Sequence, residues 1–447
     1  MTEQALNHLD RVLSMARQAG ADAADALISD GKAVSLSIRK GELEKLERAE
    51  AAELGLRVFC GKRAAMVSTS NLSDDSLREL AQRAVDMAKV MPEDPFVGLA
   101  DPEQLMTGEL PDCDLADPND PSEDTLIADA KMAEAAALDI PGVSNTEGSD
   151  AAFSRSMIAL AASNGFARSY ATTHGSLSVS VLAGTMADGL ERDYDMSVAV
   201  YYDDLEDAAK LGKAAGERAV KRLGARKVPS ASVPVVFAPR VARSLLGHFI
   251  GAINGASIAR GTSFLARAMD TPVFAPGITI MEDPLVRRGL RSRPCDAEGL
   301  QPQPRALIDN GILTSWLLDL RSARQLGLQP TGHAGRGICS APSPSVTNLA
   351  LMPGSTSPDD MIAGIKRGLY VTELIGMGVN GVTGDYSRGA AGFWIENGEL
   401  THPVSEVTIA GRLQDMFANL TPASDWQYRY GMDTPTVCIE GMALAGA

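Results

Sequence analysis

The texture of the chain changes near Val228-Pro229, and that change constrains the possible folds more than any other feature. Upstream, amphipathic helical stretches bracket runs of strand-like alternation. Leu6, Leu9, Val12, Leu13 and Ala16 share one helical face, with Gly20 as a stop. Val34, Leu36 and Ile38 then point one way while Ser35, Ser37 and Arg39 point the other, and Leu54, Leu56 and Val58 repeat the pattern. Gly61-Lys62 fits a tight turn before a strand over 64–69, and 73–90 reads as helical again. The order recurs. An alanine-rich helix over 126–138 precedes strand signals from 143 to 202, with Ser163-Asn164-Gly165 as a hairpin turn, and a helix over 204–223 follows. Between the two copies, residues 101–124 hold four prolines and nine acids with no basic residue, and read as a surface connection. Downstream, a strand over 234–237 leads to a helix over 239–254, then to a long Gly- and Pro-rich region of short strands. The expectation is an α+β protein of two domains. An N-terminal antiparallel sheet with helices spans 1–227, and a C-terminal β-rich domain with few helices spans 228–447.

Charge narrows the function classes. Lys plus Arg number 41 against 57 Asp plus Glu, a formal charge of −16 that repels phosphate backbones. The densest basic segments, at 221–227 and 287–293, are short and lack interleaved aromatics, so no nucleic acid partner is expected. The five cysteines (Cys60, Cys113, Cys295, Cys339, Cys438) contain no C-x-x-C pair, which indicates neither a disulfide framework nor a zinc knuckle. The first residues, MTEQALNHLDRVL, do not form a basic stretch followed by an apolar run, and no apolar run approaches the roughly 18 residues of a membrane span. A cytoplasmic chain without a membrane partner is the expectation.

Few motifs suggest chemistry. Gly376, Gly378 and Gly381 match G-x-G-x-x-G, but turn- and strand-like residues follow where a dinucleotide site needs a helix. The five histidines are His8, His174, His248, His333 and His402, and His333 with Cys339 is the one close Cys/His pair. The stretch LLGHFIGAINGASIARGTS (245–263) has helical apolar spacing and a single histidine. Catalytic zinc needs three protein ligands and commonly a carboxylate base. His248 is followed by Phe249, with Ala252 and Ile253 four and five residues on, and none of these can ligate or act as base. No metal site is expected in this helix.

Four blocks together carry a resemblance: GHFIGAINGASIARGTSFL, APSPSVTNLALMPG (341–354), GLYVTELIGMGVNGVTGDYSRGAAGFWIENGEL, and the late segment EVTIAGRLQDMFANL. They resemble the PmbA/TldE branch of the TldD/PmbA family, which includes proteins described as modulators of DNA gyrase. The resemblance implies a cytosolic, dimeric, two-domain subunit linked to proteolysis of peptides, including maturation of peptide antibiotics. TldD-like members carry H-E-x-x-x-H in the helix that matches 245–263, with a later cysteine, and bind zinc; PmbA-like members lack that motif, as does this chain. Cys438, in TPTVCIEGM, lacks the glycine-flanked context of the ligand, so that role is not carried over. The expected function is therefore that of a non-catalytic subunit in a heterodimeric metallopeptidase acting on unfolded peptides, with no cofactor in this chain and zinc in a TldD-like partner. Two alternatives remain: a stand-alone peptidase with an unrecognised metal, Cys or Ser site, and a homodimer that binds peptides without cleaving them. His248, Asn254, Arg260, Asn348, Asp385, Ser387 and Arg388 are the candidates for an interface or peptide groove.

Overall fold

The computed structural model describes residues 2–187 and 189–446. The first half is built from two copies of one pattern. Helix α1 (Thr2–Gln18) precedes the meander β1 (Ala23–Arg39), β2 (Glu42–Cys60) and β3 (Arg63–Thr69), and α2 (Asp74–Val90) follows. Helix α3 (Glu123–Leu138), strands β4 (Val143–Ala162), β5 (Ala167–Thr185) and β6 (Gly189–Ala199), and α4 (Ala208–Lys221) repeat it. The two meanders join through antiparallel β1 and β4 into one six-stranded sheet, in the order β3-β2-β1-β4-β5-β6. Alternation along β1 sends Ala24, Ala26, Ile28, Leu36 and Ile38 to one face. There α1 and α2 cover one end of the strands through Leu9, Val12, Leu77 and Val85, and α3 and α4 cover the other through Leu126, Ala130, Leu211 and Ala215.

The second half runs β7 (Ala231–Phe237), α5 (Pro239–Ala252), α6 (Gly255–Ala259), β8 (Ile280–Asp283), β9 (Arg305–Asp309), β10 (Ile312–Leu313), α7 (Leu320–Leu326), β11 (Ala334–Gly335), β12 (Ser343–Pro344) and β13 (Asn348–Leu351). It ends with α8 (Pro358–Ala363), β14 (Arg367–Val379), β15 (Asp385–Glu396), β16 (Glu399–Arg412), α9 (Leu413–Ala418), β17 (Leu420–Pro422), β18 (Met432–Asp433) and β19 (Val437–Ala445). Its largest sheet, β16-β15-β14-β7-β19-β17, is pinched shut by an extra pairing of β16 with β19. Helix α5 buries Ala242, Leu245, Leu246, Phe249 and Ala252, a helical stripe of three- and four-residue spacing. Phe249 packs edge-on to Phe274, and Phe274 stacks on Phe417 at 4.5 Å. The mixed α and β content agrees with the expected fold class. No helix among the described residues is long and apolar enough to cross a membrane.

One reading gains detail, since the segment over 101–124 does run over the surface, and one is corrected. The acidic segment 101–124 is a packed strap: Met106, Cys113, Leu115 and Asp117 are buried, Leu115 O accepts from Thr173 N–H, and Cys113 O accepts from Arg288 N–H. Its acids are anchored too, Asp114 by Arg287 and Arg288 and Asp120 by Arg155 and Lys32. The helix expected from 204 starts at Ala208, because Asp207 caps it by accepting from Lys210 N–H while Tyr202–Asp204 forms a separate turn.

Candidate functional site

A cleft forms where β7 gives way to α5. Strand β7 pairs in parallel with β14 only at Val235–Leu369, Val236–Tyr370 and Phe237–Val371. Ala238 N–H then caps Val371 O, and Pro239, with its fixed φ and no N–H, opens the helix. From Thr372 to Val379 the edge of β14 that faced β7 has no strand partner among the described residues. Alongside runs the face of α5 that is not packed in the core: Arg240, Arg243, Ser244 and Gly247. Between helix and strand edge lies a cleft of about 500 Å³, lined also by Tyr194 of β6 and by Arg291, Tyr430 and Met432.

The cleft is cationic. Arg240 is neutralised by a two-pronged pair with Asp193 (2.6 and 3.0 Å), and its Nε donates to Thr372 O. Glu373 is paired with Arg222. Burial alone would push Asp193 up, but the hydrogen bond and charge of Arg240 outweigh it and hold the carboxyl below its ordinary value. Three other guanidiniums have no carboxylate partner among the described residues. Arg243 lies 4.5 Å from the Tyr430 ring centroid, Arg291 donates only to the carbonyls of Thr347 and Val346, and Arg388 donates through Nε to Ile375 O.

His248 stands half-buried on α5, its ring edge-on to Tyr386 at 5.9 Å between centroids. Its Nε2 and the Tyr386 hydroxyl are both buried without a hydrogen-bond partner. Burial, then the positive charge of Arg388, lowers the pKa of His248, and burial pushes the Tyr386 hydroxyl well above the usual phenol range. Both are neutral near pH 7. One imidazole beside a phenol and a guanidinium does not fit a zinc ion, which needs three donors and no competing cation. Nowhere among the described residues do three His, Cys, Asp or Glu side chains gather as a ligand set.

Of the residues singled out in the sequence, Arg388 lines the cleft, and His248 stands near enough to feel its charge. Asp385 and Ser387 lie on exposed positions of the same strand, β15, and Asp385 accepts from the Thr383 hydroxyl. Asn254 caps α6 by accepting from Ala256 N–H and ties Pro344 O, and Arg260 is exposed at the other end of that helix. Asn348 is a buried hub, donating to Asp283 O and Ser292 Oγ and accepting from Arg291 N–H and the Tyr428 hydroxyl. His333 and Cys339 do not form a reactive pair. Both ring nitrogens of His333 are engaged, by Glu282 (2.5 Å) and Thr331 (2.7 Å), while Cys339 is exposed on its loop. Sequence reading missed Arg243 and Arg291; Arg240, Arg243 and Ser244 at helical spacing opposite the apolar stripe were the available signal for the first.

The PmbA/TldA metallopeptidase family matches in three pieces: domain 1 over 24–88, the central domain over 116–223 and the C-terminal domain over 230–446. The chain is 38% identical to the Metalloprotease PmbA of Escherichia coli O157:H7 over 427 residues, covering 95% of this chain and 92% of that protein. It is 35% identical to a Metalloprotease PmbA homolog of Haemophilus influenzae, covering 97% and 94%. A Metalloprotease TldD homolog of the same organism matches at 27% over 260 residues, 56% of this chain and 54% of that one. Among solved structures, a candidate modulator of DNA gyrase from Bacteroides thetaiotaomicron superposes with a TM-score of 0.92 at 26% identity, covering 99% and 98%. TldE of Thermococcus kodakarensis gives 0.87 at 20% identity over 98% and 99%, a likeness of fold alone. This chain belongs to the PmbA/TldD metallopeptidase family.

Proposed function

We propose that this chain is the PmbA/TldE-like, non-catalytic subunit of a heterodimeric peptidase. A TldD-like partner supplies the zinc and the general base, and this chain contributes a wall of the chamber in which an unfolded peptide is held. The observation that carries the reading is the α5–β14 cleft: a free strand edge runs beside the family's metal helix, which lines the cleft with Arg243, Ser244 and Gly247 and carries a lone His248, packed on Tyr386, in place of a ligand set. A free edge offers main-chain N–H and C=O groups to any extended peptide, giving affinity with little side-chain selectivity. The similarity runs nearly the whole length of PmbA relatives and about half the length of a TldD homolog, which favours the same branch. Cytoplasmic proteolysis of unfolded peptides, including maturation of peptide antibiotics, is the process this activity would serve.

The test is zinc content and turnover of an unfolded peptide, measured on this chain purified alone and after mixing with a TldD-like chain. The expected result is near-zero zinc and no cleavage alone, with cleavage only in the mixture. One zinc per chain with intrinsic cleavage would overturn the proposal, and His248→Ala would then be the first variant to make.

A further inference from the structure

We infer that the α5–β14 cleft is built to hold a peptide carboxylate, so that its preferred occupant is an extended peptide bearing an acidic side chain or a free C-terminus. The inference rests on the peptide-groove reading and adds a substrate class to it.

The argument starts from charge balance. The chain carries 57 acids and 41 bases, and where arginines and acids crowd together on its surface they pair. Around this cleft that pairing holds for its rim, where Arg240 meets Asp193, Arg218 meets Asp195, and Arg222 meets Glu191, Asp193 and Glu373. It fails inside. Arg243, Arg291 and Arg388 come from α5, the loop after β8 and β15 and line one cavity, and none makes an ion pair with a carboxylate among the described residues, although the charge of Arg243 is felt by Asp433 nearby. The one carboxylate lining the cleft, Glu373, is already taken by Arg222.

Each guanidinium has five N–H donors in a planar fork. Arg388 spends one on Ile375 O, and Arg291 spends two on carbonyls, so donors remain on both. A fork with free donors in a partly closed cleft accepts a carboxylate through two parallel hydrogen bonds, the strongest common form of charge-assisted contact. A strand added along Thr372–Val379 places successive side chains on alternate faces, so every second one turns toward or away from α5. Ser244 and Gly247 leave room on that helix for the side chain that turns toward it. The attraction is local: the chain as a whole is negative, and the positive wall favours an anion only once it is inside the cleft, within a Debye length of the guanidiniums.

The experiment measures binding of a fluorescent extended hexapeptide to the full chain by anisotropy, in four forms. The first has neutral side chains and an amidated C-terminus, and the second is the same peptide as a free acid. The third carries one internal Glu with an amidated end, and the fourth has Gln in its place. Expected is at least tenfold tighter binding of the free acid, the Glu form, or both, and whichever form gains names the source of the carboxylate. Arg388→Gln, and independently Arg243→Gln, should erase most of that gain, with an unchanged unfolding midpoint certifying the fold of each variant. The gain should shrink as salt is raised through the range where the Debye length falls from about 10 Å to about 3 Å. Equal binding of all four forms would overturn the carboxylate inference and leave the groove reading standing. No binding of any form would overturn both.

Discussion

Glu282 and His333 illustrate how much a single pair of side chains can commit. Both are at most 2% exposed, yet every polar atom is used: Glu282 accepts from His333 Nε2, and its other oxygen accepts from Thr347 N–H and Oγ1 at 2.7 Å each. Burial on its own would push the Glu282 carboxyl up, but the His333 contact and the Thr347 hydrogen bonds outweigh it and leave it below the ordinary value. A carboxyl lowered by folding contributes stability that is present above the ordinary glutamate range and lost as pH falls through its folded value. Glu282→Leu should therefore cost about 1–3 kcal/mol at neutral pH, because His333 Nε2 and the Thr347 N–H and hydroxyl are left buried without their acceptor. Chemical denaturation of wild type and variant at pH 7 and pH 4 checks both points: the gap between them should narrow in acid. None of this could be read from TGHAGRG, because the partner lies 51 residues upstream and nothing local marks it. The sequence drew attention to His333 for its nearness to Cys339, a neighbour in the chain that it does not use.

At the scale of elements, periodic segments were legible and irregular ones were not. Leu36, Ile38, Leu54, Leu56 and Val58 alternate as core positions of long strands, and Gly61, with φ of +58°, makes the two-residue turn that the sequence suggested. The strap over 101–124 runs over the surface as read, but its anchoring was not legible because its four buried positions follow no period and its anchors come from distant segments. The free edge of β14 was hidden for a related reason: a strand's neighbours are set by where other strands end, here by Pro239 turning β7 into α5. The opposite face of the N-terminal sheet shows the same dependence on distant chain. Gly55 of β2 lies under the loop after β11, where an added Cβ would sit 1.8 Å from Ile338 O, with backbone rather than a flexible side chain in the way. Gly55→Ala should therefore lift that loop from the sheet and destabilise the protein by about 1–3 kcal/mol, as overpacking does. A lowered unfolding midpoint, with faster proteolysis between residues 335 and 341, would be the sign. An unchanged midpoint would mean that the loop does not hold the two halves together.

The two halves of the molecule meet across a layer of buried charge, and this sets how the whole responds to pH. Asp25 of β1 is held by Arg57 of β2 and by Arg336 from the second half, all nearly inaccessible to water. Near them Asp296 and Glu298 arrive on a loop of the second half, and Glu298 accepts from Leu320 N–H at the start of α7. Burial raises Asp296 to about 6, and burial together with the charge of Asp296 raises Glu298 to about 8. A carboxyl whose folded value is raised keeps a proton that the unfolded chain has already released. Its contribution is complete below the ordinary carboxylate range and disappears as pH climbs through the folded value. For this pair the loss runs from about pH 5 to about pH 8, opposite in sign to the acid loss at Glu282. The change of texture near Val228 could be read locally, but the contact between the parts on either side could not, since its charges lie in four separate segments of the chain. The expected outcome is a fall in wild-type stability between pH 5 and pH 8 that levels off by pH 9. Glu298→Gln keeps an oxygen to accept from Leu320 N–H and removes the titration, so its denaturation midpoint should vary less over that range and exceed the wild-type value at pH 9. A variant that follows the wild-type curve throughout would place the alkaline loss elsewhere, with Asp296 the next residue to change.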